Sequence, residues 1–141
     1  MFKITQSYED FDGHERKEDL YFNFTESQLR KFLEKEPAFN EKNLAEIMET
    51  KDPSRMLDAI ETLLIAAYGE KSADGKSFIK NKEITERFEG SAAFAQLMDD
   101  LMYNGNEKMI EEFLINIFPK KFSQSIRAEL EKPQTLAAPT T

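Results

Sequence analysis

Cysteine and tryptophan are absent from the 141 residues and histidine occurs once. Without cysteine the chain has neither a disulfide framework nor a thiolate metal site, and an intracellular setting is expected. A lone His14 in a turn-rich stretch supplies one imidazole, too few for a histidine metal site and more in keeping with a solvated turn residue than a general base. No apolar run approaches the roughly 20 residues that a membrane helix needs. Met1 is not followed by a basic and then apolar leader, so neither secretion nor membrane insertion is expected. Basic residues are also in the minority, 19 Lys and Arg against 27 Asp and Glu, a net charge of -8. A nucleic-acid surface, which needs clustered Lys and Arg, is therefore not expected. The one basic part is the end of the chain, where Lys120, Lys121, Arg127 and Lys132 outnumber Glu129 and Glu131.

What the chain does have is soft apolar surface, with 12 Phe and 6 Met. Such residues fill cores, and they are also favoured at adaptable interfaces. The richest apolar element is Pro53 to Gly69, with Met56, Leu57, Ile60, Leu63, Leu64, Ala67 and Tyr68 at three- and four-residue steps. The spacing predicts a central buried helix, capped by Asp52, started by Pro53 and ended by Gly69 as a left-handed C-terminal glycine.

Ahead of it, Phe2, Ile4 and Tyr8 alternate with polar residues, as do Leu20, Phe22 and Phe24, and Asp12-Gly13 lies between. Two period-two runs around Asp-Gly predict a β-hairpin. A two-residue turn would set the apolar positions of the two strands out of phase. An odd loop, Phe11-Asp12-Gly13 with Gly13 left-handed, pairs Ile4 with Leu20 and Phe2 with Phe22 and keeps one apolar face. Thr25 and Gln28 form a capping box for a helix bearing Leu29, Phe32 and Leu33, closed by Pro37. Asn43 is expected to cap a second short helix with Leu44, Ile47 and Met48.

After the central helix, residues 70–81 read as an ordered loop with Phe78 and Ile79 tucked inward. Ile84 and Phe88 mark a short helix ended by Gly90, and Ser91 caps one with Phe94, Leu97, Met98, Leu101 and Met102, stopped by Asn104-Gly105. Asn106 caps another bearing Met109, Ile110, Phe113, Leu114, Ile117 and Phe118, broken by Pro119. The short links predict that these last two helices and the central one form an antiparallel bundle. The expected fold is mainly α, of the α+β class, with an N-terminal β-hairpin packed on a bundle of about five to six helices. Residues 1–119 form the domain (hairpin 1–25, helical part 26–119), and 120–141 form a C-terminal segment, partly helical and disordered from Pro133.

Three patterns imitate chemical sites. Gly69 to Ser77, GEKSADGKS, resembles a phosphate-binding Walker loop, but the glycines enclose five residues instead of four and a helix stands where a strand is required. Asp10, Asp12, Gly13 and Asp19 resemble part of a calcium loop, but their flanks alternate like strands and the terminal bidentate Glu is missing. The neighbouring carboxylates Asp99-Asp100 and Glu111-Glu112 fall on polar helix faces. No Ser, His and Asp constellation can be assembled, so an enzyme is not expected, and no metal or cofactor is expected either.

Two stretches carry a family resemblance. The run Asp12 to Thr25, DGHERKEDLYFNFT, is similar to the N-terminal hairpin of the tail assembly chaperones of long, non-contractile-tailed phages of Gram-positive bacteria. The run Tyr68 to Lys80, YGEKSADGKSFIK, resembles that family's mid-chain loop more closely still. The Phe88 helix, the start Ser91-Ala92-Ala93-Phe94 and the ending Ile117-Phe118-Pro119 fit the same pattern. The resemblance spans residues 4–119, and the stretch after Pro119 is unmatched. It implies a non-enzymatic assembly factor of the host cytoplasm, absent from the mature virion, that binds the tape measure protein and recruits tail tube subunits. It also implies a longer frameshifted form of the same protein. The family carries no catalytic residues.

On physical grounds the expected partner-binding site is Phe122, Ile126 and Leu130 beside Lys120, Lys121 and Arg127, a detachable amphipathic segment that contacts the client or a neighbouring subunit. The alternative for this segment is that it folds back over the bundle. The free hairpin edge and the surplus of Met and Phe make a homo-oligomer a further expectation. Two other functions remain in view: a small phage-encoded adaptor that regulates a host protein by helix-in-groove contact, and a calcium sensor.

Overall fold

The computed structural model describes residues 1–50, 52–103 and 107–131. Asn104-Gly105, Asn106, Lys132 and the tail from Pro133, for which a helix stop, a helix cap and disorder are expected, lie outside the described residues.

Strands β1 (Phe2–Glu9) and β2 (Glu15–Phe22) form the expected hairpin. Phe2 pairs with Phe22 and Ile4 with Leu20. The odd loop sets this register: Asp10 N–H donates to the His14 carbonyl at 2.8 Å, Gly13 N–H donates to the Asp10 carbonyl at 3.0 Å, and Gly13 sits at φ 82. Asp10 also gathers the turn through its carboxylate, which accepts from the amides of Asp12 and His14.

Helix α1 (Glu26–Lys35) starts on the Thr25/Gln28 capping box. A single 3-10 turn, Pro37–Phe39, leads to α2 (Glu41–Glu49). Its cap is Asn40, one turn earlier than expected, because Asn40 Oδ1 accepts from the Asn43 amide at 2.9 Å while Asn43 itself lies inside the helix and donates to the Ala38 carbonyl. Helix α3 (Pro53–Ala67) is the central helix, and the Asp52 carboxylate accepts from the amides of Ser54 and Arg55.

The end of α3 departs from expectation. Gly69 is not a left-handed cap: Tyr68 turns the chain into extended backbone at φ -63, ψ 141, and Gly69 opens onto a strand. Strands β3 (Tyr68–Lys71) and β4 (Phe78–Ile79) replace the expected loop and complete an antiparallel sheet in the order β1-β2-β3-β4. Tyr21 pairs with Gly69, and Asn23 N–H donates to the Ala67 carbonyl at 2.9 Å. Gly69 is required here by close approach, since a Cβ would lie 2.7 Å from two carbons of the Phe78 ring. Phe78 is half-buried as expected, but Ile79 alternates to the outer side and is 50% exposed.

Helices α4 (Lys82–Glu89), α5 (Ala92–Tyr103), α6 (Glu107–Asn116) and α7 (Lys120–Leu130) follow. Helix α5 lies along β1, and the closest helix pairing joins α7 to α2 across the chain. Packing is therefore less sequential than the short links predict. The fold is α+β and mostly helical, with sheet and helices sharing one core. Phe22 is fully buried at its centre, edge-on to Tyr68, Phe88 and Phe113 at 5.7–5.9 Å between ring centroids. Among the described residues no helix is long and apolar enough to cross a membrane.

Candidate interaction surface

The sequence places its candidate site on α7, and the structure divides those six residues among three environments. Ile126 is 0% exposed and belongs to the core, while Phe122 and Leu130 are half-buried against it. Lys120, Lys121 and Arg127 are exposed. Helix α7 thus lies folded back along α2.

Pro119 produces this reversal. Lacking an N–H, it leaves the Ile115 carbonyl without the donor four residues on that an unbroken helix would supply. The buried Ser123 takes over, its hydroxyl donating to the Ile115 carbonyl at 2.5 Å. The intervening turn is fixed to the sheet side, where Phe24 N–H donates to the Ile117 carbonyl at 2.6 Å and the Phe24 and Phe118 rings stack at 5.5 Å.

Between α1 and α7 the reversal leaves an open groove of about 560 Å³. Leu29 and Leu33 form one wall and Pro119 and Phe122 the other, with Glu26, Glu34, Glu41, Arg30 and Lys121 at the rim. Lys121 and Phe122 belong to this groove. Lys120 and Arg127 flank a separate, more polar hollow beside Met1 and Phe118. A second apolar groove of about 430 Å³ runs between α1, α3 and α4 over Phe32, Ile65 and Ala66. Sequence reasoning missed both walls on α1. The spacing of Leu29, Phe32 and Leu33 at i, i+3 and i+4 reads as one apolar stripe, and only the structure shows that Leu33 lines the first groove and Phe32 the second.

The loops that imitate chemical sites are internally satisfied. In the β3–β4 turn, Asp74 Oδ1 accepts from Ser72 Oγ at 2.7 Å and from the Lys76 amide at 3.0 Å, and Ser72 Oγ accepts from the Ser77 amide at 3.0 Å. The amides a phosphate would need are already engaged. These hydrogen bonds hold the Asp74 carboxyl below its ordinary range, the Ser72 hydroxyl contributing most. Asp10 is held low in the same way, first by Arg16, whose Nε donates to it at 2.8 Å. Among the described residues no group of three His, Cys, Asp or Glu is arranged to hold a metal ion.

Among the described residues Lys80 is the one strongly perturbed group. Its ammonium lies 4.2 Å from the centre of the Phe24 ring and donates to the Asn23 carbonyl at 2.5 Å, and burial pushes its pKa down to about 7. It ties the end of β4 to the end of β2 and so fastens the second hairpin.

The two stretches that carry the resemblance thus cover the turn and second strand of the first hairpin and the whole of the second, in one sheet. The model of a family described as phage tail assembly chaperone matches residues 1–140. The chain belongs to the phage tail assembly chaperone family. The matched span includes the stretch after Pro119, which the earlier resemblance left out, so α7 is part of the family's chain. No curated protein and no solved structure matches it. Membership implies an assembly factor and not an enzyme. For such a chaperone the surface that matters is one that other proteins can occupy, and the α1–α7 groove is the most apolar opening described above.

Proposed function

We propose that this tail assembly chaperone binds the tape measure protein and recruits tail tube subunits to it, in the host cytoplasm of a Gram-positive bacterium infected by a phage with a long, non-contractile tail, and leaves before the virion is complete. A longer frameshifted form would coat the tape measure, with the present chain joining the same assembly.

The observation that carries this reading is the α1–α7 groove: apolar walls from Leu29, Leu33, Pro119 and Phe122 within a rim holding both charge signs. A long helical client with apolar stripes aggregates alone. An open groove that receives an apolar helix face can cover such a stripe reversibly, and several copies along the client add their weak contacts. In this reading α7 acts while docked. Ile126 positions it, Phe122 and Lys121 touch the client, and Lys120, Arg127 and Leu130 lie outside the groove.

Co-expression with the adjacent tape measure gene tests the proposal. The tape measure should become soluble with the wild-type chaperone and return to the pellet with Leu33→Glu, at the half-buried groove wall, or Lys121→Glu, at its exposed rim, with circular dichroism showing each variant chaperone folded. Solubility unaffected by either substitution would reject the groove, and a tape measure that stays insoluble with the wild-type chain would reject the client. Capture of purified tube protein by the soluble complex tests recruitment.

A further inference from the structure

We infer that the polar hollow on the flank of α7 away from the groove is a docking site for an acidic segment of a protein partner, one that carries a Glu or Asp side chain beside an apolar one. The inference goes beyond the proposed client groove and holds whether or not that groove receives the tape measure.

Helical spacing builds two different flanks on α7. Lys120, Gln124 and Arg127, four and three residues apart, share one flank and line the hollow, whereas Lys121, Phe122 and Ser125 face the α1–α7 groove. Ser123 and Ile126 are buried on the side between, so the helix itself separates the two openings. The hollow has a volume of about 460 Å³, within the roughly 300–1,000 Å³ typical of ligand clefts. Its apolar part comes from Met1, Ile115 and Phe118, of which Phe118 is buried and Met1 is 53% exposed.

Charge distinguishes this opening from the others. The chain has a net charge of -8, yet the charged residues that line the hollow are Lys120 and Arg127, with no carboxylate among them. The α1–α7 groove carries Glu26, Glu34 and Glu41, and the groove over Ile65 carries Glu36 and Glu89. Among the described residues neither Lys120 nor Arg127 is held in an ion pair within the fold. Two other polar side chains of the hollow are already engaged, the Ser123 hydroxyl by the Ile115 carbonyl and the Asn116 amide by the Glu112 carbonyl. Lys120, Arg127 and the exposed Gln124 amide therefore remain to meet a ligand.

Those three groups are hydrogen-bond donors to an anion, and the guanidinium fork matches a carboxylate in particular. The apolar part favours an anion borne on an apolar stem. A phosphate would bring close to two negative charges to an acidic chain and leave that part uncovered, whereas a carboxylate beside an apolar side chain brings one charge and covers it. An acidic stretch of polypeptide supplies that combination.

The test is an NMR titration of the isotope-labelled full chain with an end-blocked Glu-Leu-Glu peptide at low salt. The signals of Lys120, Gln124 and Arg127 should shift, with a Kd of roughly 0.3–3 mM. Lys120→Gln and Arg127→Gln alter exposed side chains and should each weaken binding about threefold to tenfold, while Lys17→Gln on the sheet should leave it unchanged. Leu33→Glu in the groove should also leave it unchanged, which separates this site from the client surface. A Gln-Leu-Gln peptide should bind at least about tenfold more weakly. Absence of shifts at the hollow with about 10 mM peptide would overturn the inference. So would equal binding of the Gln-Leu-Gln peptide, or a loss with Lys17→Gln or Leu33→Glu as large as that with Arg127→Gln. Tighter binding of inorganic phosphate than of the peptide at the same residues would overturn it too, because the site would then select phosphate.

Discussion

Replacing Ile126 by Ala asks whether α7 is part of the folded body or an arm resting beside it. Ile126 is wholly buried, and the substitution removes three carbons from the side chain that seats α7. At about 0.8 kcal/mol per buried carbon the transfer loss is roughly 2.4 kcal/mol. The cavity left between α7, α2 and the core raises the total to about 3–4 kcal/mol. A domain of this size has about 5–15 kcal/mol of stability, so the variant should still fold. In urea, with a slope of about 1–3 kcal/mol per molar, the unfolding midpoint should fall by roughly 1–4 M with the slope unchanged. Arg127→Ala on the exposed side of the same helix should change stability by about 0.5 kcal/mol or less. If Ile126→Ala unfolded within about 1 kcal/mol of wild type, α7 would not be seated on the core and the docked groove would lose its second wall.

Three further outcomes follow from the same geometry. Gly69→Ala should cost about 1–3 kcal/mol by chemical denaturation, because its Cβ meets the Phe78 ring, and the penalty should shrink in a Phe78→Ala background; additive effects would count against the close approach. Ser123→Ala should cost about 1–2 kcal/mol by leaving the Ile115 carbonyl without a donor, and an equal loss with Ser125→Ala would show that the bond to Ile115 is not the cause. Lys80 binds its proton less tightly in the fold, with a pKa of about 7, than in the unfolded chain, so from about pH 7 to 10 the unfolded state holds more protons and stability rises with pH. Solvent on its open side, the Phe24 ring and the Asn23 carbonyl all favour the ammonium, holding the gain to about 1–2 kcal/mol relative to Lys80→Met. A flat difference between the two proteins over that window would contradict it.

Elements whose cause is local were legible in advance. Thr25 and Gln28 cap α1, Asp52 and Pro53 start α3, and Ser91 caps α5, because each bond is made within three residues. The hairpin register was legible too, since any slip would turn Phe2, Ile4, Leu20 and Phe22 against their neighbours' parity. The second hairpin was not. Strand β4 is two residues long and β3 begins where the helical stripe still runs, so the alternation that reveals β1 and β2 has no length in which to appear. Gly69 was misread for the same reason: a glycine after an apolar helix suggests a left-handed cap, and only the Phe78 ring above it shows why a Cβ is excluded. The candidate site was half legible. The spacing of Phe122, Ile126 and Leu130 identifies an amphipathic helix but not what its apolar face meets.

By itself the sequence determined the α+β class, the first hairpin with its register, the central helix and the membership of a chaperone family, all of which rest on periodicity, capping and motifs that are short in chain distance. Only the tertiary structure decided that Tyr68–Lys71 and Phe78–Ile79 join the sheet, that α7 packs on α2 with Ile126 in the core, and that α1 and α7 leave a groove between them. Those outcomes depend on contacts between residues tens of positions apart, where helical spacing states that a face is apolar and cannot name the surface that covers it.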